Sequence, residues 1–133
     1  MTYTEAQLVA RGQKVFTGNC AACHQPSGMG IPGTFPPISA GHPFSAAPAM
    51  IAKLRSRGFI TPAGRIVEGP VANHIGIVLD GIAGTPMPAF GSSLSNLDIA
   101  SVITFERNSF GNHTGDVIQP AQVQAARAAA QKP

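Results

Sequence analysis

Apolar side chains recur at helical spacing in four stretches of the chain, separated by runs in which glycine and proline break any period. In TEAQLVARGQKVFTGN, Leu8, Val9, Gly12, Val15 and Phe16 fall near one face. Thr4, followed three residues later by Gln7, makes a capping-box pattern, so a helix is expected from about Glu5 to Thr17. From Gln25 to Pro43 the chain reads as loop: Gly28, Gly30, Gly33 and Gly41 alternate with Pro26, Pro32, Pro36, Pro37 and Pro43. Ser45 is positioned to cap a second helix from about Ala46 to Arg57, with Pro48 in its first turn and Gly58 at its end. Ile75, Val78, Leu79 and Ile82 make the apolar stripe of a third helix, from Val71 to about Ile82, which Gly81 and Gly84 stop. The following GTPMPAF must be extended, because Pro86 and Pro88 each hold the preceding residue away from helical geometry. Met87 therefore sits on a stiff strap. Ser95 and Asp98 repeat the capping logic for a fourth helix, NLDIASVITFERN, with Ile99, Val102, Ile103 and Phe105 on its broad apolar side. After Gly111, Pro120 and an alanine-rich run predict a short, peripheral surface helix with little to pack. No internal repeat and no convincing strand is present. The expectation is an all-α domain of about four to five helices over residues 1–133, with a core from about 5 to 110 and an extension over 111–133.

Composition adds one difficulty to this picture. Charged residues are 11% and apolar residues 44% of 133, too apolar for a disordered polyelectrolyte. Yet there is no Trp, one Tyr and seven Phe, a thin aromatic supply for a core. Something other than side chains is expected to fill the middle. The formal charge of +3 is dispersed; its densest group is Lys53, Arg55 and Arg57, joined by Arg65. Without aromatic interleaving or a recognisable module around it, nucleic acid is not an expected partner, and a solvated helix face is the ordinary reading. No run approaches 18 apolar residues, and the first 25 lack a basic start followed by an apolar stretch. If the domain works outside the cytoplasm, its export signal or anchor is expected on further sequence.

The chemistry concentrates in GNCAACHQPSG, which holds both cysteines of the chain, Cys20 and Cys23, with His24 next in line. A dithiol oxidoreductase also uses Cys-x-x-Cys, but at a helix start after a strand, whereas here a helix precedes and a Gly/Pro loop follows. Structural zinc needs four ligands, and His42, His74 and His113 are too scattered to supply the compact second half. Covalent haem attachment needs two thiols at this separation to add across the porphyrin vinyl groups, and an adjacent histidine to bind iron. All three requirements meet in CAACH. A buried haem also answers the thin core, since it could contribute on the order of 10 kcal/mol or more at roughly 25 cal/mol per Å².

A second axial ligand is sought among methionines and histidines. Met87 is the best placed, because a rigid strap can hold its thioether at iron. Met50 inside the second helix has an ordinary core role, and Met29 lies in a glycine-rich loop close to His24. His42, His74 and His113 remain rivals whose default is a surface or hydrogen-bonded role. With His24 and Met87 both on iron no position stays open, which points to electron transfer rather than ligand chemistry.

These residues carry a resemblance. The chain resembles class I cytochrome c domains through CAACH, the helix followed by GTPMPAF, and a final helix carrying an aromatic. More narrowly, His74 to Val123, including the tail ERNSFGNHTGDVIQP, is similar to the cytochrome c domain at the carboxyl end of subunit II in caa3-type haem-copper oxidases. The resemblance implies one haem c held through Cys20 and Cys23, with His24 and Met87 as axial ligands. It implies that Gly12 packs against Phe105, and that Pro36, or the adjacent Pro37, supports the proximal side of the haem. Phe110 stands where the subgroup often has tryptophan. Residues 40–69 match ordinary short cytochromes poorly. The narrower resemblance further implies single electrons arriving from a cytochrome c or a quinol-oxidising complex and leaving toward the copper centre of a terminal oxidase. Its implied partners are an upstream copper-binding domain and other oxidase subunits. The implied location is the periplasm or the outer face of a bacterial cytoplasmic membrane, tethered in the full-length protein. By itself such a domain is no enzyme and is expected to be monomeric. A free periplasmic monohaem cytochrome c is the alternative, and a small haem enzyme or gas-binding protein ranks behind both.

Overall fold

The structure, a computed structural model, describes residues 2–130, whose backbone forms six helical segments and no β-sheet. They are α1 (Glu5–Asn19), α2 (Ala21–His24), α3 (Pro48–Ser56), α4 (Val71–Asp80), α5 (Asn96–Arg107) and α6 (Pro120–Ala130). Met1 and residues 131–133, part of the expected domain, lie outside the described residues.

The first helix begins as its sequence dictates. The Gln7 N–H donates to Thr4 Oγ1 at 3.2 Å, and the Thr4 N–H donates to Gln7 Oε1 at 2.8 Å, closing the capping box. At the head of α5 the Asp98 N–H likewise donates to Ser95 Oγ at 3.1 Å. α5 is the centre of the molecule, with every residue from Ile99 to Arg107 buried. α1 crosses it through Gly12, where an added Cβ would overlap the Ser101 carbonyl oxygen and stand 2.6 Å from Phe105 Cβ. Only glycine permits that approach. Gly12→Ala is expected to cost roughly 1–3 kcal/mol through overpacking, read as a lower denaturant midpoint with helical content retained. An unchanged midpoint would mean that the crossing relaxes freely. Beside the crossing, Phe16, Phe105 and Phe110 form a triangle of rings with centroids 5.1–5.6 Å apart. Gly28 lies against the Phe110 ring, and a Cβ there would come within 2.7 Å of it.

Three boundaries differ from expectation. Ser45 caps nothing: α3 starts at Pro48, with Ala47 as its N-cap. A residue before proline is forced extended, and Ala47 takes ψ 141°, so no helical turn can form upstream of the ring. α4 ends at Asp80 rather than Ile82, because Gly81 adopts φ 67° and turns the chain away. α2, a single turn over the cysteine motif itself, is additional to the expected helices.

The tail also departs from the peripheral role expected of it. Ile118 and Val123 are 1% and 0% exposed and belong to the main core, alongside Val15, Phe16, Ile75, Val78, Leu79 and the inner face of α5. Arg127 of α6 donates to Asn96 Oδ1 at 2.6 Å, to the Leu94 carbonyl at 2.8 Å and to the Gly91 carbonyl, tying the helix to the turn before α5. Residues 40–69 build a second, smaller core of Phe44, Leu54, Ile60 and Ile66, completed by Ile82. Isolated bridges pair Pro43 with Arg65 and Ile60 with Ile66, and Arg65 Nη1 donates to the Gly41 carbonyl at 2.9 Å. Arg65 is thus a loop brace.

Candidate functional site

Between the two cores runs a cleft that is partly open to solvent. Met50, Leu54, Phe59, Ile77, Val78, Ile82 and Phe90 give it mainly apolar walls. Cys20, Cys23, His24, Pro36 and Met87, the five residues expected from sequence, all line it.

The local backbone explains how three of them gather. Cys20 ends α1 and starts α2, and its carbonyl accepts from the N–H groups of Cys23 at 3.2 Å and His24 at 2.9 Å. That single turn sets positions i, i+3 and i+4 on one face, so two thiols and an imidazole address the same space. Gln25, at φ 68°, then ends the turn sharply. His24 Nδ1 lies 2.9 Å from the Pro36 carbonyl, to which its N–H donates. This fixes ring and tautomer and leaves Nε2 as the nitrogen free to bind a metal. Pro36 is therefore the proline whose carbonyl orients the histidine, while Pro37 lines the cleft beside it, buried.

Cys20 and Cys23 are both free thiols. Burial pushes the Cys20 thiol far above its ordinary range, and the charges of Glu106 and Cys23 add to the rise. A redox dithiol needs the opposite, a thiol lowered toward neutrality. A pair of free thiols facing an apolar slot, that of Cys20 held protonated by burial, fits S–H addition to a hydrophobic macrocycle, and an imidazole with one defined free nitrogen fits an axial ligand. The residues present therefore fit a covalently held haem.

Met87 comes from the strap after α4. The Thr85 hydroxyl donates to the Ile82 carbonyl at 2.7 Å, the Met87 N–H donates to Thr85 Oγ1 at 3.3 Å, and the Ile82 N–H donates to the Met87 carbonyl at 3.3 Å. Of the rivals, Met50 and His74 also line the cleft. Met29 is 41% exposed, and His42 and His113 are exposed; none of the three lines the cleft.

The cytochrome c family profile matches residues 9–108. The chain belongs to the cytochrome c family. The cytochrome c subunit of the quinone alcohol dehydrogenase of Gluconobacter oxydans (strain 621H) is 30% identical over 118 residues, 87% of this chain and 22% of that subunit. Its counterpart in Gluconacetobacter polyoxogenes is 29% identical over 114 residues, 84% of this chain and 21% of the subunit. Cytochrome c-552 of Thermus thermophilus is 58% identical over 33 residues, 25% of this chain and 24% of that protein. The chain spans about a fifth of the length of the dehydrogenase subunits it matches. These relatives support a haem-binding electron-transfer domain in general and do not single out oxidase subunit II.

Sequence reasoning missed a polar group on the cleft wall. Glu68, His74 and Glu106 line it, and Arg107 stands behind them. His74 had been expected at the surface or in a hydrogen bond; it is the latter, with Nε2 3.2 Å from Glu106 Oε2 and its ring edge-on to Phe59. The available signal was Glu106 and Arg107 together inside an otherwise apolar helix, a charged pair on a face that must be buried. Among the described residues, no helix is long and apolar enough to cross a membrane.

Proposed function

We propose that this chain is a monohaem c electron carrier of the periplasm that exchanges single electrons with larger redox proteins. Cys20 and Cys23 would hold the haem through thioether bonds, and His24 and Met87 would ligate its iron. The observation that carries the reading is the one-turn helix α2, which turns Cys20, Cys23 and His24 into one apolar cleft with His24 Nδ1 already engaged by the Pro36 carbonyl. The bound haem supplies a one-electron change of iron valence. The chain supplies the rest. The thiols fix the ring edge, the Pro36 carbonyl holds the imidazole in one tautomer, and the strap presents the Met87 thioether. The mainly apolar walls surround the site with few polar groups, so less reorganisation accompanies the change of charge.

A mature sample is expected to retain its haem through acid and organic-solvent extraction, and the reduced protein to keep the same visible spectrum under carbon monoxide. Release of the haem on extraction would remove the attachment claim, and ready carbon monoxide binding would turn the reading toward a gas-binding or peroxidase-like protein.

A second reading, a domain delivering electrons to the copper centre of a terminal oxidase, is favoured by the likeness of residues 74–123 to oxidase subunit II. Much of that tail has an internal use. Asn112 Nδ2 donates to the carbonyls of Ile38 and Glu106, and Asn108 Nδ2 to those of Thr104 and Asp116. Its sequence is thereby accounted for by folding, without a neighbouring subunit. A copper-binding domain encoded directly upstream would favour the oxidase reading.

A further inference from the structure

The polar group on the cleft wall is unbalanced in charge. Three carboxyl groups gather around one guanidinium, that of Arg107: Glu68 from the segment before α4 and Asp116 from the tail pair with it, and Glu106 from α5 pairs with His74. Arg107 Nε donates to Asp116 Oδ2 at 2.9 Å, and Nη1 lies 3.3 Å from His74 Nδ1. A guanidinium has only donors, so His74 Nδ1 accepts, and the Nε2–H donates to Glu106. Glu106 and Asp116 are partnered; Glu68 is not. Its Oε2 is buried without a hydrogen-bond partner, and Arg107 Nη1 approaches it only to 3.9 Å, within ion-pair reach and beyond a hydrogen bond. The spare carboxylate lines the same cleft as Cys20, Cys23, His24 and Met87.

We propose that Glu68 is a redox-linked proton site: one electron entering the cleft from a donor redox protein is matched by one proton taken from solvent onto the Glu68 carboxylate, and both leave on reoxidation. The inference rests on the haem reading above. Reduction adds one negative charge to a low-dielectric space that already holds an excess of carboxylates over cations. The least compensated carboxylate is where a proton relieves that excess most. The groups facing Glu68 from each neighbouring element set its starting point. Burial pushes its carboxyl upward; His74, when protonated, and Arg107 pull it down; Glu106 and Asp116 push it up again. The electron adds to the upward side, so the affinity for a proton is higher in the reduced state. Linkage requires the converse: the reduction potential falls as pH rises between the oxidised-state and reduced-state values, and is flat outside that interval.

The test is the midpoint potential of the haem-loaded protein from pH 5 to 9, for the wild type and Glu68→Gln, with covalent haem content checked on the same samples. The wild type is expected to slope downward, toward a limit of about 59 mV per tenfold change in proton concentration for one proton per electron. Glu68→Gln is expected to lose the slope in that interval while keeping its haem. A flat wild-type curve overturns the proposal. So does a slope that survives in Glu68→Gln, which would assign the proton to a haem propionate or to His74. Should Glu68→Gln not retain haem, the reduced-minus-oxidised infrared spectrum of the wild type decides. A protonated-carboxyl band that shifts on ¹³C labelling of glutamate supports the site, and its absence overturns it. A protein that carries no covalent haem at all fails the functional reading instead, a separately visible result.

Discussion

Replacing both cysteines by serine, in Cys20→Ser/Cys23→Ser, is expected to abolish covalent haem retention and, with it, cooperative unfolding. Serine keeps the size of the side chain and removes the thiol that adds to a vinyl group. The effect on folding follows from how the two cores meet. Val78 packs in the larger core, Leu54 and Ile82 in the smaller, and all three face the cleft that separates them. With nothing in the cleft, these walls are left to water or to collapse in a different arrangement. A haem between them contributes on the order of 10 kcal/mol, comparable with the whole stability of a domain, about 5–15 kcal/mol. The checks are haem absorbance after denaturing extraction and a thermal scan followed by circular dichroism. A sharp, native-like transition in the haem-free double variant would show that the protein cores alone hold the fold. Cys23→Ser alone leaves the buried thiol of Cys20 and is expected to retain part of the haem through one bond.

The parts of this architecture that could be read from sequence are those fixed by neighbours along the chain. Thr4 with Gln7 and Ser95 with Asp98 are contacts three residues apart, so α1 and α5 declare their own starts. Gly81 and the prolines around Met87 act through backbone sterics alone, and the strap was legible for that reason. The CAACH segment was legible as a candidate for haem attachment and illegible as structure. A four-residue helix is shorter than any period that could reveal it, and its end at Gln25 uses a positive φ that no residue type announces. The fate of the tail was hidden differently. An alanine-rich run has little apolar surface of its own, but Val123 is placed to fill a gap in the main core, and Arg127 finds three acceptors some 30 residues upstream. Those are tertiary facts. The cleft-wall cluster is the extreme case, because Glu68, His74, Glu106 and Asp116 are spread over 49 positions and become one electrostatic unit only after folding.

Met87→Ala is expected to eliminate the sulfur-to-iron charge-transfer band of the oxidised protein and to lower its reduction potential. The drop should be on the order of a few tenths of a volt, inside the roughly 0.8 V that axial-ligand choice commands. A neutral thioether favours the reduced metal, so its loss stabilises the oxidised state. What favours Met87 over Met50 as the proposed ligand is the backbone around it. Met50 lies in the first turn of α3, where a long unbranched side chain adapts to whatever packing surrounds it. Met87 is flanked by two prolines and pinned by Ile82 and Thr85, and its carbonyl presses on Gly81, where a Cβ would stand 2.6 Å away. The strap thereby restricts the backbone that carries the sulfur before any metal is bound, and part of the ordering cost of ligation falls on a segment already ordered. Survival of the band in Met87→Ala would transfer the role to Met50, and Met50→Leu, expected to leave band and potential nearly unchanged, tests that transfer directly. A further consequence separates a ligand from a mere wall residue: in Met87→Ala the reduced iron is expected to bind carbon monoxide, which the wild type, with both axial positions taken, is expected to exclude.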